Sequence, residues 1–457
     1  MYSKNAWNKY SGKKLENLFD FNEDYKNFIS RCKTERECVA YSVELAKQNG
    51  FKDLSEFNTL VPGDKVYATN MGKNVCLFVI GEEPIVNGLN ILGAHIDSPR
   101  VDIKQNPVYE KNDFVLLDTH YYGGIVKYQW VTTPLAIHGV VVKKDGTVIN
   151  VVIGEDDKDP VFMISDLLPH LAADKMQKTG AKVIEGEDLD VTFASIPLDG
   201  EEKEPVKKNL LNILKEKYNI EEEDFLSSEL EVVPAGKARD LGIDKSLILG
   251  YGHDDRVCAY TSMRAVLDTK MVNRTACAYL VDKEEVGSIG ATGAHSKWFE
   301  NVVAEMIAKQ EKNYNDLLLR RAITNSLMLS SDVSAGYDPL YAGVFEAKNA
   351  AYLGKGLTFN KYTGARGKSG CNDALPEFFA DIRNVMDTND VNYQTAELGK
   401  VDVGGGGTIA YIMGNMGMKV IDAGIPVLSM HAPNETVSKV DVYEAYKGYI
   451  AFIKDMK

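Results

Sequence analysis

A chain of 457 residues is too long for one ordinary hydrophobic core, and its length leads us to expect two or three domains. Its 44% hydrophobic and 26% charged content are those of a soluble globular protein. A net charge of −14 argues against nucleic acid or anionic lipid as the main partner, because both would be repelled.

The amino-terminal stretch from Met1 to Tyr10 lacks the apolar core of a secretory signal, and no run approaches the roughly 20 apolar residues of a membrane span. A cytoplasmic location without membrane partners is therefore expected. Leu15, Leu18, Phe19, Tyr25, Phe28 and Ile29, then Val39, Val43 and Leu45, carry helical spacing that stops at Asn49-Gly50. Val75 to Ile80 and Leu89 to Leu92 read as strands, the second delivering His95 and Asp97 at its exit. From about Val101 to Leu247 the texture changes to short β runs, with Asp145-Gly146 marking a hairpin between Val140–Val142 and Val148–Ile153. Helix and strand then alternate. Helices are expected at Arg256 to Leu267, Lys297 to Arg321, Ala374 to Val385 and Val440 to Ile453, and strands at Ala276 to Val281, Ser326 to Leu329, Lys419 to Ile421 and Pro426 to Leu428. The expected fold class is α/β, a mixed central sheet flanked by helices. The α/β domain is expected to be discontinuous, 1–101 plus 248–457, with a β-rich domain inserted at 102–247. Six cysteines without a CxxC pair read as mostly buried free thiols.

Three carboxylates and two histidines, His95, Asp254, Glu285, Asp332 and His431, each follow an apolar, strand-like run, and none lies in the inserted block. Metal-hydrolase ligands collect at such positions. Five ligands exceed what one catalytic zinc requires. Two divalent cations about 4 Å apart need compensating anions, and three carboxylates with one bridging hydroxide balance them, two neutral imidazoles completing the shell. His and carboxylate ligands suit Zn²⁺, Mn²⁺ or Co²⁺. Asp97, two residues from His95, shares its face in extended chain and suits the partner that accepts the other ring N–H. A dinuclear site needs a bridging carboxylate, for which Asp254 is the candidate, with Asp255 behind it or capping the helix. Glu284, beside Glu285, is placed to take a proton from the attacking water and deliver it to the leaving amine. The loop Gly404 to Thr408 opens a helical pattern, and Gly406, Gly407 and Thr408 are candidates for substrate contact; it lacks the Gly-Lys-Ser/Thr ending of a phosphate loop. His120, His138, His253 and His295 have no ligand-like context.

Together His95-Ile96-Asp97-Ser98-Pro99-Arg100, Asp254, Lys283-Glu284-Glu285-Val286-Gly287-Ser288, Ser331-Asp332 and Met430-His431-Ala432-Pro433-Asn434-Glu435 resemble the aspartyl aminopeptidase family of dinuclear zinc exopeptidases over nearly the whole chain. The resemblance implies His95 and Asp332 on one metal, Glu285 and His431 on the other, Asp254 between them and Glu284 as base. It implies an inserted domain that drives dimerisation and a tetrahedral dodecamer of these chains. His170, in Leu168-Pro169-His170-Leu171-Ala172, resembles a histidine that reaches a neighbouring subunit's substrate, and Lys361 a lysine that meets an acidic substrate side chain.

The sequence departs from typical aspartyl members at Ala335 and Asp338, where histidines are usual. An anionic Asp338 disfavours an acidic substrate residue, so the preferred amino-terminal residue is left open between acidic, neutral and basic. The function expected is a metalloaminopeptidase that releases amino-terminal residues from peptides by dinuclear metal-hydroxide attack. Its alternative is a related metal amidohydrolase acting on acyl-amino acids or at the carboxyl end.

Overall fold

A computed structural model of the chain describes residues 4–457; the first three residues of the amino-terminal stretch read above lie outside it. The chain divides into two compact units, one of residues 1–97, 238–430 and 435–457, the other of 98–237 and 431–434.

The first unit is built on a nine-stranded mixed sheet. Its order is Lys52–Asp53, Lys65–Asn70, Asn74–Val79, Thr275–Val281, Leu89–His95, Leu327–Ser330, Lys419–Gly424, Leu357–Asn360 and Tyr393–Ala396. The four central strands, Thr275–Val281, Leu89–His95, Leu327–Ser330 and Lys419–Gly424, run parallel, so their carboxyl ends share one edge. Leu89–His95 is buried at every position, as expected of a parallel strand covered on both faces. The pleat then sorts its residues. Leu92 and Ala94 join the core with helices Gly12–Arg31, Glu35–Gln48, His253–Leu267, Pro376–Thr388 and Lys439–Asp455. Leu89 and Ile91 join the opposite core with helices Trp298–Gln310, Asp316–Asn325 and Ala410–Asn415. A five-stranded sheet in the same unit carries Leu247–Gly250, which leads into Asp254, beside Glu435–Ser438.

Local signals account for several boundaries. Thr34 and Glu37 form a reciprocal capping box at the start of Glu35–Gln48. The single helix expected from Lys297 to Arg321 is instead two, Trp298–Gln310 and Asp316–Asn325. The apolar spacing continues across the break, but Glu311 to Asn315 is polar and Asn315 accepts the Leu317 N–H at 3.1 Å as the second helix's cap. That local bond competes with continuing the first helix.

The second unit holds a six-stranded antiparallel sheet in the order Val148–Ile153, Leu135–Val142, Ser228–Pro234, Arg100–Lys111, Phe114–Tyr122 and Val191–Ala194. Asp145-Gly146 lies in the turn joining the first two, Gly146 taking φ 87. The unit also holds the helix Pro205–Tyr218, which the reading of this region as short β runs does not include, although Val206, Leu210 and Leu214 are buried at four-residue spacing. Five of the six cysteines are buried, and all six are free thiols. Among the described residues no helix is long and apolar enough to cross a membrane.

Because Leu92 is fully buried between the central strands and one helical layer, Leu92→Ala should destabilise the fold by about 2–5 kcal/mol. Denaturant unfolding checks this, and a loss under 1 kcal/mol would contradict the packing described.

Candidate metal centre

The shared carboxyl edge of the parallel strands concentrates the acidic residues, the place where open α/β sheets bind ligands. His95 is the last residue of Leu89–His95 and pairs in register with Val281, beyond which the chain turns through Lys283 (φ 72) into Glu284–Val286. Asp332 lies just past Leu327–Ser330, and the N–H of the intervening Ser331 donates to the Gly93 carbonyl at 2.6 Å. Asp254 enters from the other sheet at the start of His253–Leu267, with non-helical φ −80 and ψ 109.

His95 sits at the centre and is 2% exposed. Its Nδ1–H donates to Asp97, 3.0 Å from the backbone carbonyl and 3.2 Å from carboxylate Oδ1. Its Nε2 faces Asp254 Oδ1 at 3.1 Å, Glu284 Oε2 at 3.9 Å and Asp332 Oδ1 at 4.0 Å. Asp97 also organises the adjacent turn, its two oxygens accepting the N–H groups of Glu284 and Glu285 at 3.2 Å each. Asp255 Oδ2 accepts the backbone N–H of His95 at 3.2 Å. One imidazole thus stands among six carboxylates: Asp97, Asp254, Asp255, Glu284, Glu285 and Asp332.

Such crowding has electrostatic consequences. Burial raises the Asp332 pKa well above its usual value, and Glu284 and Asp255 push it further. Burial likewise raises Asp255, with the Asp254 charge adding to it. Burial alone would lower the His95 pKa, but the carboxylates of Asp254 and Asp97 outweigh it and raise it well above the usual value.

The donor set fits divalent metal. His95, Asp254 and Asp332 offer ligand atoms within 4.8 Å of one another, as do His95, Glu284 and Glu285. Zinc bonds of about 2.0–2.2 Å in a tetrahedral shell set ligand atoms roughly 3.4 Å apart, and the 3.1 and 4.0 Å separations from His95 bracket that value. His431 follows Pro426–Leu428 and groups with the second unit, with φ 67. There its Nδ1–H donates to the Gly124 carbonyl at 2.8 Å, leaving Nε2 as acceptor, the form a metal ligand needs.

The substrate candidates are placed differently. His170 is exposed in the turn Pro169–Leu171 of the second unit. Lys361 is ion-paired with Asp373, which also holds Lys368 at 3.0 Å. The Gly406 N–H donates to Thr363 carbonyl at 2.9 Å, and the Thr408 hydroxyl to Asp422 at 2.7 Å, so of the three loop candidates Gly407 is the one exposed to solvent. Asp338 caps its own turn, accepting the Leu340 N–H at 2.9 Å, and Ala335 pairs in a short strand with Val427. His253 is fully buried with its Nδ1 2.5 Å from the Tyr25 hydroxyl. Sequence reasoning gave no role to Glu435, which accepts the Asp254 N–H at 3.0 Å. Its only signal was its place at the end of the His431 motif.

Residues 28–453 match the family model described as aminopeptidase I zinc metalloprotease (M18). The probable M18 family aminopeptidase 1 of Clostridium acetobutylicum is 59% identical over 457 residues, covering 99% of this chain and 98% of that protein. The crystal structure of an M18 family aminopeptidase from Thermotoga maritima superposes with a TM-score of 0.96 at 44% identity, covering 100% of both chains. A chain of the S. cerevisiae mApe1 dodecamer superposes with a TM-score of 0.78 at 23% identity, covering 96% of this chain and 97% of that one, a likeness of fold.

The raised Asp332 pKa sets a pH dependence for metal-free protein. Its stabilising contribution is complete below the ordinary carboxylate value of 3.8 and is lost as pH rises through the raised folded value. Chelator-treated protein should therefore melt progressively lower as pH rises from 5 to 8, and the stabilisation gained on adding zinc should grow over that range. Parallel melting curves for the two forms would contradict the buried carboxylate cluster.

Proposed function

The chain belongs to the M18 family of zinc metalloproteases and is an aminopeptidase, a hydrolase, and from that premise we propose that His95, Asp254, Glu285, Asp332 and His431 hold two divalent metal ions on which Glu284 acts as general base. Membership of this family decides between the two ends of the peptide in favour of the amino end. The observation that carries the proposal is the gathering of six carboxylates around one buried imidazole, an arrangement whose charge calls for cations.

On this reading His95 and Asp332 would hold one ion and Glu285 and His431 the other, with Asp254 shared between them. Zinc is the metal of the family, and Mn²⁺ or Co²⁺ suits the same donors. When bound, the metals polarise the scissile carbonyl and bring the pKa of water down towards about 7. Asp97 holds the His95 tautomer through Nδ1 and, through the N–H groups of Glu284 and Glu285, keeps that turn in place. Glu284 takes a proton from the attacking water on its carboxylate, the water oxygen bonds to the peptide carbonyl carbon, and the C–N bond breaks as the same proton passes to the leaving amine. Its Oε2, 3.9 Å from His95 Nε2 in a side chain 18% exposed, is near the ligands yet open to substrate.

Peptides with neutral or basic amino-terminal residues suit the charges better than acidic ones, because the Lys361 ammonium is already matched by Asp373. The Gly406 to Thr408 loop contacts substrate through Gly407, and His170 serves a neighbouring subunit's site, an exposed histidine being free to do so. The second unit is the dimerisation domain, and the dimers build a tetrahedral dodecamer in the cytoplasm; the name of a dodecamer whose chain shares this fold supports the subunit number alone.

Glu284→Gln should lower kcat by about 10²–10⁴-fold while metal content stays that of the natural chain. Asp254→Ala should lose metal as well as turnover. Elemental analysis beside an assay on aminoacyl chromogenic substrates checks both; near-normal turnover in Glu284→Gln would end the assigned role, and full metal occupancy in Asp254→Ala would remove that residue from the ligands.

A further inference from the structure

Asp254 has to present its carboxylate in one orientation, yet its backbone lies outside the helix it opens. With φ −80 and ψ 109 it receives no support from the regular hydrogen bonding of His253–Leu267. The chain reaches it through Tyr251 and Gly252, a turn held from one side by Arg256. That guanidinium is fully buried, lies 4.8 Å from the Tyr251 ring centroid and donates from Nη1 to the Cys32 carbonyl at 2.5 Å. Gly252 takes φ +72, and a Cβ there would fall 1.8 Å from Arg256 Nη2, so any side chain at this position would displace the guanidinium.

The other side of the turn is held by Glu435. It is the first residue of Glu435–Ser438, pairs in register with Gly250 at the end of Leu247–Gly250, and is 1% exposed. Its Oε2 accepts the N–H of Asp254 at 3.0 Å, while Asp254 Oδ1 faces His95 Nε2 at 3.1 Å. A glutamate carboxylate thus reaches from one strand across to the backbone that leaves the neighbouring strand, ending at the residue whose side chain meets His95. A bond from a buried carboxylate to a backbone N–H is charge-assisted and short in reach, which suits it to fixing a peptide's position.

We propose that Glu435 is a positioning residue for the metal site: by accepting the Asp254 N–H it fixes the orientation of the Asp254 carboxylate and so sets metal affinity. The inference rests on Asp254 being a ligand. What matters is an acceptor atom at that distance. Glutamine supplies one at the same length without the charge, whereas aspartate keeps the charge but withdraws it by one methylene.

The test is zinc affinity of the full-length protein, measured by equilibrium competition with a chromogenic chelator, for Glu435→Gln and Glu435→Asp. Loss of a group that orients a metal ligand typically weakens binding about 10–100-fold. We expect Glu435→Asp to fall in that range and Glu435→Gln to stay within about threefold of the natural chain. The rise in melting temperature on adding zinc should be smaller for the Asp variant than for the natural chain, and KM should hold, a pattern that general damage to the fold would not give. Natural affinity in Glu435→Asp, weaker binding in Glu435→Gln than in Glu435→Asp, or a Glu435→Gln chain that does not fold would each overturn the proposal. Asp254→Ala, assayed alongside, separates the levels: if it retains zinc, the ligand assignment fails, and if it loses zinc while the Glu435 variants do not, this inference alone fails.

Discussion

Mutual repulsion among buried carboxylates is the constraint on which the rest of this structure turns. Asp254, Asp255, Glu284, Glu285, Asp332 and Asp97 converge on His95 at an edge where the sheet and its helices exclude most water. Desolvating charge is expensive, and desolvating like charges together more so. The fold meets part of that cost with backbone N–H groups, those of His95 on Asp255, of Glu284 and Glu285 on Asp97, and of Asp254 on Glu435. Raised pKa values at Asp332 and Asp255 mark what remains. On the function proposed above, divalent cations supply the compensation.

The sheet explains why residues so far apart in sequence meet. Parallel strands all deliver their carboxyl ends to one edge, so a residue placed just after each strand arrives at the same place whatever the length of the connection. His95, the Glu284-Glu285 pair and Asp332 are such residues. Asp254 needs a different route, out of the five-stranded sheet and through the Gly252 turn, and that route requires the additional hold described for Glu435.

The residues proposed to hold metal stand out in the sequence because each follows an apolar run, a pattern visible one segment at a time. The same reasoning failed where a local competitor or a distant partner decides. Apolar spacing alone joined Trp298–Gln310 to Asp316–Asn325, and the Asn315 cap that separates them is a local polar bond that periodicity ignores. Pro205–Tyr218 was hidden by its charged flanks. Lys361 is a substrate-contact candidate by resemblance alone, and nothing in its neighbourhood announces the pairing with Asp373 twelve residues on. Glu435 was equally opaque, because its partner Asp254 is 181 residues away in sequence.

The most direct measurement is an anomalous diffraction map at the zinc edge from crystals of zinc-loaded protein. The account predicts two peaks per chain about 4 Å apart, with the Asp254 carboxylate between them, His95 and Asp332 beside one, and Glu285 and His431 beside the other. A single peak, or peaks that leave Asp254 out of contact, would contradict it.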